Sequence, residues 1–221
     1  MNWETIILTL QLALISTAIL LVIAIPIAFW MSQSKSKFKP VIQAIVNLPL
    51  VLPPTVLGFY LLIVFAPNSA IGSFFNEYLG IRLAFSFHGL VIGSIIYSLP
   101  FMVQPIHSGF SQLPKNMINA SYLLGKGKRE TLLRVMLPNI KPSLITGIVL
   151  SFAHTIGEFG VVLMIGGNIP GETKVLSIEI FDQVESLNYD EAHLYSLLLV
   201  IFSFIILTAI YFINQRNKSL F

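Results

Sequence analysis

One carboxylate, Glu158, stands in the otherwise apolar run AHTIGEFGVVLM (153–164), and His154 precedes it by one helical turn. On a helix the two share a face, the arrangement a proton relay or half of a metal site would use. An ionisable side chain in a membrane-like run is a functional candidate, because burying an unpaired charge is costly. No third ligand stands at a helpful spacing: His88, His107 and His193 are scattered, and a zinc-type site needs three or four ligands. A hydrogen bond across a helix interface, or a place near the outer end within reach of water, would account for Glu158 without catalysis.

The other charged feature is NASYLLGKGKRETLLRVMLP (119–138), which opens the densest cationic cluster of the chain: Lys126, Lys128, Arg129, Arg134 and Lys141. GKGKRET resembles a phosphate-binding loop only briefly. That motif needs glycine where Tyr122 stands and Ser or Thr where Arg129 stands, so backbone amides are not arranged to cradle phosphates. HTIGE is not a metalloprotease HExxH, and no G-x-S-x-G nucleophile elbow occurs. The chain by itself carries no enzyme signature.

These residues must be positioned by a chain that is 55% hydrophobic and 10% charged, with mean hydropathy +0.83. A soluble domain carries about 25% charged residues, so this one belongs in a bilayer. No cysteine is present, which excludes disulfides and thiolate metal sites. The 221 residues divide into apolar runs at roughly 5–31, 43–66, 86–108, 142–166 and 192–213, each suited to one crossing. The expected fold is an all-α integral membrane protein, a single domain over 1–221 with about five transmembrane helices. The first run follows Asn2, Trp3 and Glu4 and is too long for a signal-peptide core, so it is read as a retained span.

Charge placement orients the chain. With loop 32–40, loop 109–141 and the C-terminal tail in the cytoplasm, all but Arg82 and Lys174 of the 13 lysines and arginines lie inside. Retention of positive charge on that side makes the chain N-out and C-in, and it gives the basic residues a role other than binding nucleic acid. TKVLSIEIFDQVES (173–186) reads as an amphipathic helix at the outer surface. Within the spans, Pro49, Pro53 and Pro54 beside Thr55, and Pro100 and Pro105 further on, free backbone carbonyls that a neighbour or a wet cavity must satisfy. They mark either bent, pathway-lining helices or simple packed kinks. Gly89 and Gly93 form a GxxxG, and Ser143, Gly147 and Ser151 a small-residue ladder, both permitting close helix approach.

The basic segment joins spans three and four. Pro114 suits a first helical turn, Gly125 a left-handed C-terminal position, and Met117, Ala120, Ser121 and Leu124 fall at i, i+3, i+4 and i+7. A second short helix is expected from Lys128 to Met136, closed by Leu137–Pro138. The result is a small apolar knob with a cationic collar, a shape that asks for a protein groove.

This segment resembles the EAA motif of ABC importer permeases, E-A-A-x3-G-x9-I-x-L-P. Here the motif positions hold Asn119, Ala120, Ser121, Gly125, Val135, Leu137 and Pro138 with every spacing intact; Asn, Ser and Val replace Glu, Ala and Ile. The resemblance implies a cytoplasmic coupling helix seated in a groove of a separate ATPase, with Leu124, Lys126, Lys128 and Arg129 among the contacting residues. FAHTIGEFGVVLMIGGNIPGETKVLSIEIF (152–181) is similar to the GEFG…GN-x-PG-x-T region of molybdate-type permeases of the type I importer class, with sulfate permeases close behind.

Together these likenesses imply a multi-pass permease of the cytoplasmic (inner) membrane, embedded in lipid, that imports molybdate or tungstate by alternating access. Its partners would be a second copy of itself, a cytoplasmic ABC ATPase dimer holding ATP and Mg, and an external oxyanion-binding protein. The chain itself would carry no cofactor. His154, Thr155, Gly157, Glu158 and Asn168, with Pro49, Pro53, Pro54 and Thr55, become candidates for the pathway or its gate. None of the five runs has a lysine or arginine, so neutral polar groups would serve a transient anion path, and an ionised Glu158 would have the wrong sign. A sulfate permease is the alternative within the class. A non-transporting membrane scaffold and an intramembrane enzyme using His154 and Glu158 are the readings outside it.

Overall fold

The computed structural model describes residues 2–218, with side chains throughout except at 210 and 213–218. The tail cations Arg216 and Lys218, counted above for orientation, lie outside the described side chains.

The described residues form an all-helical structure. Three helices are long and apolar enough to cross a membrane unbroken: α1 (Trp3–Gln33), α5 (Phe87–Gln112) and α12 (Tyr189–Lys218). Helix α1 is apolar around its whole circumference. Its buried stripe, Thr9, Leu12, Ala13, Ser16, Leu20, Ala24 and Ala28, recurs at three- and four-residue steps, while Leu14, Val22 and Ile23 face outward. Only a lipid environment makes such an outer face favourable.

The run 43–66 is not one straight helix. Helix α2 (Lys39–Val51) ends before Pro53, and α3 (Pro54–Phe65) leaves it at 111°. Two consecutive prolines remove two donors and force extended backbone on the residue before them, so the ladder cannot continue. Pro100 and Pro105, by contrast, sit inside unbroken α5. The run 142–166 is also divided. Helix α9 (Lys141–Ile156) stops at Gly157, and α10 (Gly160–Gly166) begins after Glu158 and Phe159. Two amphipathic helices lie in the connecting segments: α4 (Ala70–Leu79), and α11 (Leu176–Glu185) within the stretch expected to form one.

Packing assigns the ends. Met31, Val46, Phe110, Met136 and Ile140 share one apolar cluster, so segments 34–38 and 113–140 lie at the same end. Leu12, Phe65, Leu83, Val161 and Val175 share another, which gathers the loops after α3 and α10 at the opposite end. The small-residue ladder of α9 closes on α5. Gly147 fits so tightly that a Cβ there would lie 3.1 Å from the Met102 carbonyl oxygen, and Gly109 faces Ser143. The GxxxG of α5 serves a different contact, with Gly93 against Ile165 of α10 and Gly89 over the Leu83 carbonyl.

Candidate functional site

Between α5 and α9 the chain forms α6 (Lys115–Leu123) with Pro114 at its entry. It ends in a Schellman turn: Gly125 N–H bonds the Tyr122 carbonyl at 3.0 Å and Lys126 N–H bonds the Ser121 carbonyl at 3.2 Å. Gly125 has φ +77°, a conformation cheap only for glycine. The expected face of Met117, Ala120, Ser121 and Leu124 divides. Ser121 turns inward and is 4% exposed, while Leu123 and Leu124 turn outward, 88% and 79% exposed, with Tyr122 beside them. Asn119, Ala120, Lys128 and Arg129 are also exposed, so the tip is apolar with a cationic rim. Sequence reading missed Leu123; its signal was the double leucine before Gly125, of which only one was assigned outward.

The second helix extends one residue past its expected end. Helix α7 (Lys128–Thr131) runs through a π turn, Leu132–Met136, into α8 (Leu137–Asn139), and at Ile140 the chain bends by 75° into α9. Pro138 stands in the last turn, and the column closes one residue beyond it, at Asn139, close to the expected Leu137–Pro138 end. In a regular helix its ring would strike the carbonyl four residues back, and the wider π turn stands just before it. Ser121 Oγ and Thr131 Oγ1 lie 2.9 Å apart, both buried, joining α6 to this helical column. The exposed Arg134–Glu130 pair, 3.1 Å apart, contributes little.

The pathway candidates collect at the two breaks. Pro54 packs on Gly160, and Gly58 on Met164. Equal steps of four along both helices mean that α3 and α10 run parallel, with their starts at one level. Pro53, Thr55 and Gly157 are exposed there, while Pro49 is buried in α2.

His154 and Glu158 are not brought into a relay. His154 Nδ1 lies 2.9 Å from Ser98 Oγ, and its ring stacks on Phe101 at 4.0 Å. Thr155 Oγ1 is 3.1 Å from Ser98 and donates to the Ser151 carbonyl. These bonds fasten α9 to α5. Glu158 is 3% exposed, and the Ser94 hydroxyl of α5 is its cross-helix hydrogen-bonding neighbour, although among the described residues the two groups do not meet strict hydrogen-bond geometry. Its backbone carbonyl does accept from Ser177 Oγ of α11.

The GN-x-PG-x-T stretch is a tied turn. Gly167 and Asn168 are both left-handed, with φ +68° and +58°. Thr173 Oγ1 donates to the Gly166 carbonyl at 2.7 Å and accepts from Ile169 N–H at 2.9 Å. Asn168 Nδ2 reaches Asp182, and Lys174 Nζ lies 2.8 Å from both Glu179 and Asp182. Partial burial works against the Lys174 charge, but the two carboxylates outweigh it and raise its pKa above the ordinary lysine value. Asn168, a pathway candidate, is thereby committed to holding this turn on α11.

A family model described as the binding-protein-dependent transport system inner membrane component matches residues 21–218. The chain is 47% identical over 213 residues to the molybdenum transport system permease protein ModB of Azotobacter vinelandii, covering 96% of this chain and 93% of that one. It is 29% identical to a probable sulfate transport system permease protein of Nephroselmis olivacea, over 96% and 74% of the two chains. Among solved structures, the inward-facing MetNI methionine ABC transporter matches with TM-score 0.72 at 18% identity, over 98% of this chain and 99% of that one. A bacterial ABC transporter involved in the import of alginate gives 0.78 at 16%, over 96% and 78%. These two likenesses bear on the fold alone.

Proposed function

The chain belongs to the family of binding-protein-dependent transport system inner membrane components, and on that premise we infer that it is the multi-pass permease subunit of an ATP-driven molybdate importer. The 47% identity to a molybdenum permease carries the substrate, against 29% for a sulfate permease. Tungstate, a tetrahedral dianion of closely similar size, would be accepted with it.

The observation that carries the mechanism is the exposed apolar tip of α6, rimmed by Lys128 and Arg129 at the end of the bundle that also holds Lys35 and Lys37. Cationic loops are retained in the cytoplasm, which makes the chain N-out and places this tip where an ATPase can meet it. Leu123 and Leu124 fill an ATPase groove as apolar anchors, and ATP with its magnesium stays on the ATPase subunits. Two copies of this chain face each other, lipid surrounds them, and an external oxyanion-binding protein docks on the opposite side. The pathway follows the exposed edge of the broken helices at Pro53, Thr55 and Gly157. With no cation in the five runs, the anion is passed along by neutral polar groups, and selectivity rests with the binding protein.

ATP binding draws the ATPase subunits together, and each α6 moves with its groove. Helix α9, joined to the coupling segment through the 75° bend at Ile140, carries that motion to α5 through Ser98, His154 and Thr155 and to α10 across the break. The testing experiment is uptake at trace molybdate in cells lacking this chain, with tungstate and sulfate in parallel. Loss of molybdenum accumulation, restored by the gene and with sulfate uptake intact, is the expected result. Loss of sulfate alone would move the substrate and leave the mechanism in place.

A further inference from the structure

We propose that Ser121 and Thr131 form a hydroxyl clamp that makes α6 move as one body with α9, so that the pair sets how much transport each ATP drives. The proposal rests on the coupling role inferred for α6.

The clamp follows from how little else holds α6. Ser121 is its one buried residue. Ile118 adds an apolar contact to the nearby core. The chain that leaves α6 passes through Gly125 and Gly127, and nothing lies within 4 Å of where a side chain would stand at either. A connection with no packing on either side transmits little force, because its dihedrals absorb the displacement. Across this slack link, Ser121 Oγ meets Thr131 Oγ1 at 2.9 Å.

Thr131 is a stiff anchor. It is fully buried, β-branched and confined in χ1, and its N–H bonds the Gly127 carbonyl at 2.9 Å. From Thr131 the helical backbone passes through the π turn and α8 to a 75° corner at Ile140, packed by buried Met136 and Ile140, and on into α9, which ends at the bonds to Ser98. A displacement of the α6 tip therefore reaches the middle of the bundle through a hydroxyl contact rather than through the glycine loop. A buried hydroxyl pair is directional and costly to leave half-made, properties suited to fixing an angle. Ser121 occupies a position where the motif has alanine, so the hydroxyl adds a bond without a change of steric class.

The test uses the permease–ATPase complex with the molybdate-binding protein in proteoliposomes, measuring molybdate transported per ATP hydrolysed and, separately, ATPase retained on the permease. Ser121→Ala and Thr131→Val should each retain the ATPase and lower transport per ATP roughly fivefold. The double variant should be no worse than either single one, because both remove the same bond. Thr131→Ser keeps the hydroxyl and should restore the ratio, which a purely steric role would not predict. An unchanged ratio in both single variants, or additive losses in the double, would overturn the clamp. Leu123→Asp separates the two levels of the argument: full ATPase retention in that variant would sink the docking role itself, whatever Ser121 and Thr131 do.

Discussion

Pro54 of one broken segment lies against Gly160 of the other, so close that a Cβ on Gly160 would meet Pro54 Cβ at 2.8 Å. Four residues further along both helices a Cβ on Gly58 would meet Met164 Cβ at 2.7 Å. The two breaks are thus one structural unit, and glycine is needed at both contacts to bring the backbones together.

Gly160→Val should force α3 and α10 apart and destabilise the protein by about 1–3 kcal/mol, the usual cost of overpacking. A lowered melting temperature in detergent, with uptake reduced in proportion, is the expected pair of results. An unchanged melt would show that the contact is slack.

Leu123→Asp should leave the melting temperature alone, since the side chain is 88% exposed, yet lower ATPase association at least about tenfold. An apolar anchor filling a pocket is worth about 1–3 kcal/mol. Co-purification with the ATPase subunit reads the effect.

At Gly125 two variants separate backbone strain from bulk. Gly125→Ala must adopt φ +77°, at about 1–2 kcal/mol, and should weaken association modestly. Gly125→Trp places its Cβ where nothing lies within 4 Å, so a loss larger than that of the alanine variant points to collision with the ATPase groove. Equal losses in the two variants would count against a groove closing over Gly125.

Lys174→Met leaves Glu179, 5% exposed, beside Asp182 with no cation between them. The expected loss is about 2 kcal/mol, the scale of hydrogen bonds to a charged group. In the unaltered chain the Lys174 pKa is raised on folding. Its contribution is therefore complete below the unfolded lysine value of about 10.4 and disappears as pH rises through the higher folded value. Melting curves taken from neutral into strongly alkaline buffer should show that decline, and Lys174→Met should abolish this component of it.

Glu158→Gln tests acid–base chemistry in the membrane. His154 is bonded to Ser98 rather than to Glu158, so uptake should persist in the variant. Complete loss of uptake with normal assembly would restore a proton-transfer role.

How much of this was legible in advance differs from one residue to the next. Apolar run length and the placement of lysine and arginine were enough for a multi-pass helical protein with a basic segment between its third and fourth runs, because desolvation acts on composition one span at a time. Gly125 was legible as a left-handed helix end, since that conformation excludes almost every other residue. The paired prolines at 53–54 announced a bend, and their local sterics require one. Tertiary structure alone decided what each bend was for. That Pro54 would meet Gly160, that α3 and α10 would run parallel, that His154 would turn to Ser98 rather than to Glu158, and that Ser121 would face Thr131 while Leu123 faced out all depend on contacts between segments distant in the chain or on helix rotation within the packed bundle. Periodicity is a weak guide to rotation in a membrane helix, because hydrophobicity is similar on its lipid-facing and protein-facing sides, and only packing tells them apart.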